Sequence, residues 1–314
     1  MHLRLLLVVV GVRAFAPLKT QAVQRRVGHV RSAHPCDFNA AKGKSVFRLD
    51  GSETSLEACL DDGPAVVVCL THFGDFNAWE VTQQLRVADC GKLTPLLVGI
   101  GSVESARQFA SDLDLSEDAS VRLVADPTGD VASSLGCYKG WLYADEVHRE
   151  LWPSTDVNPY VKLFGMIFGF GSPGTMGQVA YGYLGDASGP EFNRRWVVQS
   201  LLQGSRKGRF PTLTEDAFAG VDSNSGLRPF ELATLRAQTG IHILRNWAKL
   251  GPKDGDMFTR MGGTFVFDEP AAATGDREVA YFQRDAGILA YTNVVELTGA
   301  LSKLYPTARV SAID

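Results

Sequence analysis

Residues 65–87, AVVVCLTHFGDFNAWEVTQQLRV, constrain the fold more than any other stretch. Val66–Leu70 is a short, continuous apolar run rich in β-branched residues, which is the pattern of a strand buried on both faces. Phe73, Gly74 and Asp75 form a turn. From Phe76 the apolar spacing becomes helical, through Ala78, Val81, Leu85 and Val87. A fully buried strand running into a helix requires a sheet with layers on both sides, and therefore an α/β protein.

The neighbouring segments repeat this rhythm. Ser45–Leu49 reads as a short strand, and Ser52-Glu53-Thr54-Ser55 as the lead into a short helix carrying Leu56 and Leu60. Pro95–Ile100 and Val121–Val124 read as further buried strands. Val103–Leu113 is helical, with Ala106, Phe109, Ala110 and Leu113 on one face, and Asp130–Leu135 is a short helix that Gly136 terminates. Strands alternating with helices imply a parallel sheet with helices across its faces. Gly263–Phe267 and Val279–Phe282 read as an antiparallel hairpin around the loop Glu269–Gly275, followed by a helix capped by Asn293 and carrying Val294, Leu297, Leu301 and Leu304.

Between these two parts the pattern breaks. Leu163–Phe170 is apolar but interrupted by glycine. Ser172 and Pro173 suit the N-cap and first position of a helix through Met176, Val179 and Tyr183. Phe192–Leu202 and Phe230–Leu250 are further helix candidates, the second weakened by Gly240, and Gly220–Gly226 is a polar loop. The expected organisation is a targeting segment at 1–36, the first part of the α/β domain at 37–136, a mostly helical insertion at 137–260, and a closing hairpin and helix at 261–310.

Charge is divided unevenly. Residues 1–36 carry six Lys+Arg and no Asp or Glu, whereas 37–314 carry 25 Lys+Arg against 35 Asp+Glu. An acidic body argues against nucleic-acid binding. In the basic head, Arg4 precedes the apolar run Leu5–Val12, and Val12-Arg13-Ala14 supplies small residues before a cleavage point. That run is too short for a transmembrane helix, which needs about 20 apolar residues. Phe15-Ala16-Pro17 and a Ser/Thr/Arg segment follow. Together these residues resemble the bipartite signal-plus-transit leader of algae with secondary plastids, which implies a plastid protein of the stroma or the thylakoid surface.

Five cysteines, Cys36, Cys59, Cys69, Cys90 and Cys137, form no C-x-x-C and no zinc spacing with histidine. Neither a metal nor another cofactor is expected.

Taken in order, Val46-Phe47 to Asp50-Gly51, Val66–Leu70 with His72-Phe73-Gly74, Trp79-Glu80, Leu97–Gly101, Ala125-Asp126-Pro127, Arg228–Ala233, Gly262–Phe267 and Tyr281-Phe282 with Arg284-Asp285 resemble the thioredoxin-like superfamily. Within it they are most similar to the peroxiredoxin-like, AhpC/TSA-related antioxidant group in its long plastid and cyanobacterial form. The resemblance implies a thioredoxin-like fold, a central mixed sheet flanked by helices, with a large and mostly helical insertion before the C-terminal hairpin. It also implies a catalytic cysteine just after Phe-Gly, at a helix N-terminus where a thiolate is favoured. Here those positions hold Asp75, Asn77 and Ala78. The proline expected before the hairpin strand, on the opposite wall, is replaced by Gly262-Gly263.

Asp75 reads as an N-cap carboxylate rather than a general base, and His72 as a surface or turn contact. Trp79 reads as packing. Among displaced thiols Cys137 ranks first and Cys90 second. Cys69 lies inside a strand, Cys59 is bracketed by acids, and Cys90 sits at a helix C-terminus, where the dipole disfavours a thiolate. Gly171–Thr175 reads as a helix start rather than a phosphate site. Arg194-Arg195 and Arg206-Lys207-Arg209, flanking Trp196–Leu202, read as a solvated basic face.

The leading expectation is a redox-degenerate binding or accessory module whose partner is a plastid protein or thylakoid complex. One alternative is a thiol peroxidase using a displaced cysteine. Another is a structural subunit of a photosynthetic membrane assembly.

Overall fold

In the computed structural model the described residues are 36–115, 120–137, 158–169, 172, 175–176, 229–285, 287 and 294–306. Residues 1–35 of the expected targeting segment at 1–36, the helix candidate at 192–202 with its flanking basic residues, the loop at 220–226 and the cap at Asn293 lie outside them.

Seven strands form one mixed sheet in the order β2-β1-β5-β4-β3-β6-β7. They are β1 (Ser45–Phe47), β2 (Glu53–Ser55), β3 (Ala65–His72), β4 (Leu96–Ile100), β5 (Arg122–Asp126), β6 (Gly263–Phe267) and β7 (Val279–Arg284). β3 runs parallel to β4 on one side and antiparallel to β6 on the other. β4 is parallel to β5, and β6–β7 is an antiparallel hairpin. All eight residues of β3 are buried, as a two-faced central strand requires.

β2 departs from the sequence reading. Glu53–Ser55 is not the lead into a helix but an edge strand paired with β1, and only Glu57–Cys59 coils, as a 3₁₀ turn. The strand is defined by backbone pairing alone; its side chains are polar and face water at least in part, so no periodicity marks it.

The helices are α1 (Phe38–Ala41), α2 (Phe76–Val87), α3 (Val103–Leu113), α4 (Asp130–Ser134), α5 (Pro159–Ile167), α6 (Pro229–Arg245), α7 (Trp247–Leu250) and α8 (Val294–Leu304). β3 divides its side chains between two cores. Val66, Val68 and Leu70 meet α2, α3 and α8, together with Ile243 of α6 and Leu250 of α7. Val67 and Cys69 meet α1 and α4, with Phe265 and Phe267 of β6. Gly240 does not break α6. Asn246 ends it, turning its side-chain amide back to donate to the His242 carbonyl at 3.0 Å.

α2 is not half-solvated as its spacing suggests. Every residue from Asn77 to Leu85 is buried, including the polar Glu80, Thr82, Gln83 and Gln84. α6 and α8 both pack against α2. Arg236 of α6 answers the buried acid with a bidentate pair, Nε and Nη2 donating to the Glu80 carboxylate at 2.7 and 2.9 Å. The guanidinium also lies 5.8 Å from the centre of the Phe76 ring, in the first turn of α2.

Candidate functional site

The candidate site lies where β3 ends and α2 begins. Phe73 is completely buried, and its ring fills space left by two glycines: a Cβ on Gly99 would fall 2.2 Å from the ring and one on Gly101 2.8 Å. The turn is therefore anchored in the core, and the next residue starts the helix. Asp75 is the N-cap, as expected. Its Oδ1 accepts from the Asn77 N–H at 3.0 Å and its Oδ2 from the Thr71 hydroxyl at 2.7 Å. The position that could favour a thiolate thus already holds a carboxylate. Asn77 and Ala78 are buried behind it.

Trp79 is core, as read from the sequence. It is 2 % exposed, donates its indole N–H to the Phe73 carbonyl at 2.8 Å, and meets Phe109 edge-on. The expectation for His72 is corrected: the imidazole is not at the surface but 4 % exposed. The cause is an aromatic cover supplied from far along the chain. The Trp247 and Phe258 rings each lie 5.8 Å from His72, and Tyr160 packs on Phe258 at 5.0 Å. The Trp247 indole also donates to the Tyr160 hydroxyl at 3.3 Å. Gly74 allows this closure, since a Cβ there would lie 2.8 Å from the Trp247 ring. Burial lowers the His72 pKa, opposed by the Asp75 carboxylate, and its Nδ1 has no hydrogen-bond partner among the described residues.

A third titratable group completes the site. Asp285, just beyond β7, is buried, and its N–H donates to the Gly262 carbonyl at 3.2 Å. Burial first, then the Asp75 charge, pushes its carboxyl well above the ordinary carboxylate range, while the Gly262 N–H opposes the rise. The Gly262 position explains its residue type: a Cβ would meet the Cys69 carbonyl oxygen at 2.2 Å and the Asp285 Oδ2 at 2.8 Å. The sequence shows Asp285 only as part of the Arg284-Asp285 motif and gives no sign that it is buried behind the glycine pair. An Asp directly after a strand is an ordinary surface pattern.

The cysteines lie elsewhere. Cys90 is 5 % exposed, and burial, with Asp89 adding to it, pushes its thiol up to about 12. Burial, rather than the helix dipole, is the cause, because α2 already ends at Val87. Burial likewise raises the Cys59 thiol. Cys137 is half-buried against the core that contains Cys69, on the sheet face opposite α2. In the segment 171–175, the described Ser172 and Thr175 are buried with their hydroxyls 2.6 Å apart.

At the end of β3 the His72 imidazole and the Asp285 carboxyl thus each lie within electrostatic reach of the Asp75 carboxylate. Among the described residues no group of three or more His, Cys, Asp or Glu side chains could hold a metal ion. Among them, too, no helix is long and apolar enough to cross a membrane. Comparison of the chain with family models, curated proteins and solved structures finds no match.

Proposed function

We propose that this chain is a thioredoxin-fold, peroxiredoxin-like protein of the plastid whose thiol site has been converted to a closed, thiol-free one, and that it acts as a binding or accessory module. The observation that carries the reading is the Asp75 carboxylate on the α2 N-terminus, behind an imidazole covered by Trp247 and Phe258. The central placement of β3 between parallel β4 and the antiparallel β6–β7 hairpin supports the fold assignment. The acid-free basic head supports plastid targeting. Fold alone does not decide chemistry, so the test is functional.

Purified protein given hydrogen peroxide and a dithiol donor should show no turnover above the uncatalysed rate. Turnover comparable with active thiol peroxidases would overturn the reading in favour of a displaced-thiol enzyme. A fluorescent reporter fused behind residues 1–36 should enter plastids. Fractionation should then place the protein with a plastid complex or at the thylakoid surface.

A further inference from the structure

α5 turns its apolar side outward. Tyr160, Val161, Phe164, Ile167 and Phe168 are exposed, Phe164 by 63 %, while Lys162 and Met166 are buried. Positions 160, 161, 164, 167 and 168 share a single helical face. The Phe164 and Phe168 rings meet on it, 5.1 Å apart. The helix is anchored from behind: it packs on the 3₁₀ turn Gly255–Thr259, and the Tyr160 hydroxyl accepts from the Trp247 indole of α7. Close to this anchor in the chain, the end of α6 exposes Ile241 and Leu244, the latter by 71 %, with Arg245 and Lys249 exposed beside them. Charge sets these segments apart from the rest. Residues 37–314 carry 35 Asp+Glu against 25 Lys+Arg, yet 158–169 and 232–253 contain no Asp or Glu. Two acids that bond α6 from other helices, Glu80 and Asp112, are paired with Arg236 and His242. An exposed apolar face of this kind marks an interaction surface.

We propose that this acid-free apolar surface docks on an anionic lipid bilayer, with α5 lying in the plane of the interface, its aromatic face against the acyl chains and Arg245 and Lys249 at the headgroups. At nine residues α5 is too short to cross a bilayer, so it lies on one. The complementarity is one of charge as well as of polarity: the acidic remainder of the body is repelled by an anionic surface, and the cationic, acid-free segments are the part that can approach it. Docking is therefore oriented. The membrane gives the binding module of the proposed function a partner, but the inference is independent of the thiol-free site: peroxide turnover would overturn that reading and leave this one standing.

The full chain is sedimented with vesicles of phosphatidylcholine alone and of equimolar phosphatidylcholine and phosphatidylglycerol, and hydrogen exchange is mapped by mass spectrometry with and without each. Binding to the anionic vesicles should exceed binding to the neutral ones and fall as salt is raised. Those vesicles should slow exchange in peptides covering 160–168 and 241–249. Phe164→Ser/Phe168→Ser replaces two exposed rings and should weaken binding by about tenfold or more, with an unchanged far-ultraviolet spectrum. Phe282→Ser, at an exposed ring on the edge strand β7, should bind as the wild type does. If the double variant does not fold, the wild-type exchange map decides. Binding through the basic residues 1–36 alone would leave exchange at 160–168 unchanged, and that result would overturn the proposal. So would equal binding to both kinds of vesicle, or self-association that protects the same peptides without lipid.

Discussion

Replacing Arg236 with methionine tests whether α6 is held on α2 by a buried charge pair. In the wild type the Glu80 carboxylate is 1 % exposed and receives two guanidinium hydrogen bonds at 2.7 and 2.9 Å. Methionine has nearly the reach of arginine but no donor, so the variant leaves a buried anion without its guanidinium. Breaking a buried pair from one side costs about 3–5 kcal/mol. Typical domains have about 5–15 kcal/mol of stability in all, so the loss would be conspicuous. The paired variant Glu80→Met/Arg236→Met removes both charges and keeps apolar volume, and should recover most of the loss, because desolvating two ions offsets their mutual attraction. Urea denaturation followed by circular dichroism on wild type, both single variants and the double variant gives the coupling, expected to be at least about 2 kcal/mol. A single-variant loss below about 1 kcal/mol at unchanged slope, or a double variant no better than the singles, would refute the argument.

Three further outcomes follow from the site. Asp285 is held protonated above its ordinary value of 3.8, so its contribution to stability is present below that value and is lost as pH rises through the folded pKa. Asp285→Asn, which stays neutral, should gain over wild type by about 1.4 kcal/mol per pH unit in that window, and a pH-independent difference in denaturation midpoints would contradict it. His72 acts with the opposite sign: its pKa is lowered from 6.5, so its contribution is present above that value and is lost as pH falls through the folded pKa. His72→Gln should flatten that limb of the stability curve. Gly74→Ala places a Cβ against the Trp247 ring and should cost about 1–3 kcal/mol by overpacking. Tryptophan fluorescence should report the ring's displacement and NMR titration a rise in the His72 pKa; an unchanged titration would show that Trp247 does not cover the imidazole.

What the sequence discloses depends on the range of the forces involved. β3 and α3 are legible because a continuous β-branched run and an apolar face at helical spacing are local patterns, and α3 spans Val103–Leu113 as read. Asp75 is legible as a cap because its partners, Thr71 and Asn77, lie within four residues. β2 is not, because backbone pairing leaves no trace in three polar side chains. The burial of His72 is not legible either, since its cover comes from Trp247 and Phe258, well over a hundred residues away. The same holds for Glu80, whose charge reads as a solvated helical position until Arg236 is placed beside it. Gly136-Cys137 announces a helix end, but only the sheet shows that Cys137 packs against the core that contains Cys69.

The pairing of β3 with β6 has a consequence for synthesis. Cys69 pairs with Gly263, so the two partners are separated by about two hundred residues. At translation rates of about 5–20 residues per second, the edge of β3 that faces β6 waits roughly 10–40 s for its partner. During that interval its run of valines is an open template for another chain. The nascent first half of this protein is thus the species that a chaperone must shield, and a product terminated before Gly263 should accumulate as aggregate rather than as a folded half-domain.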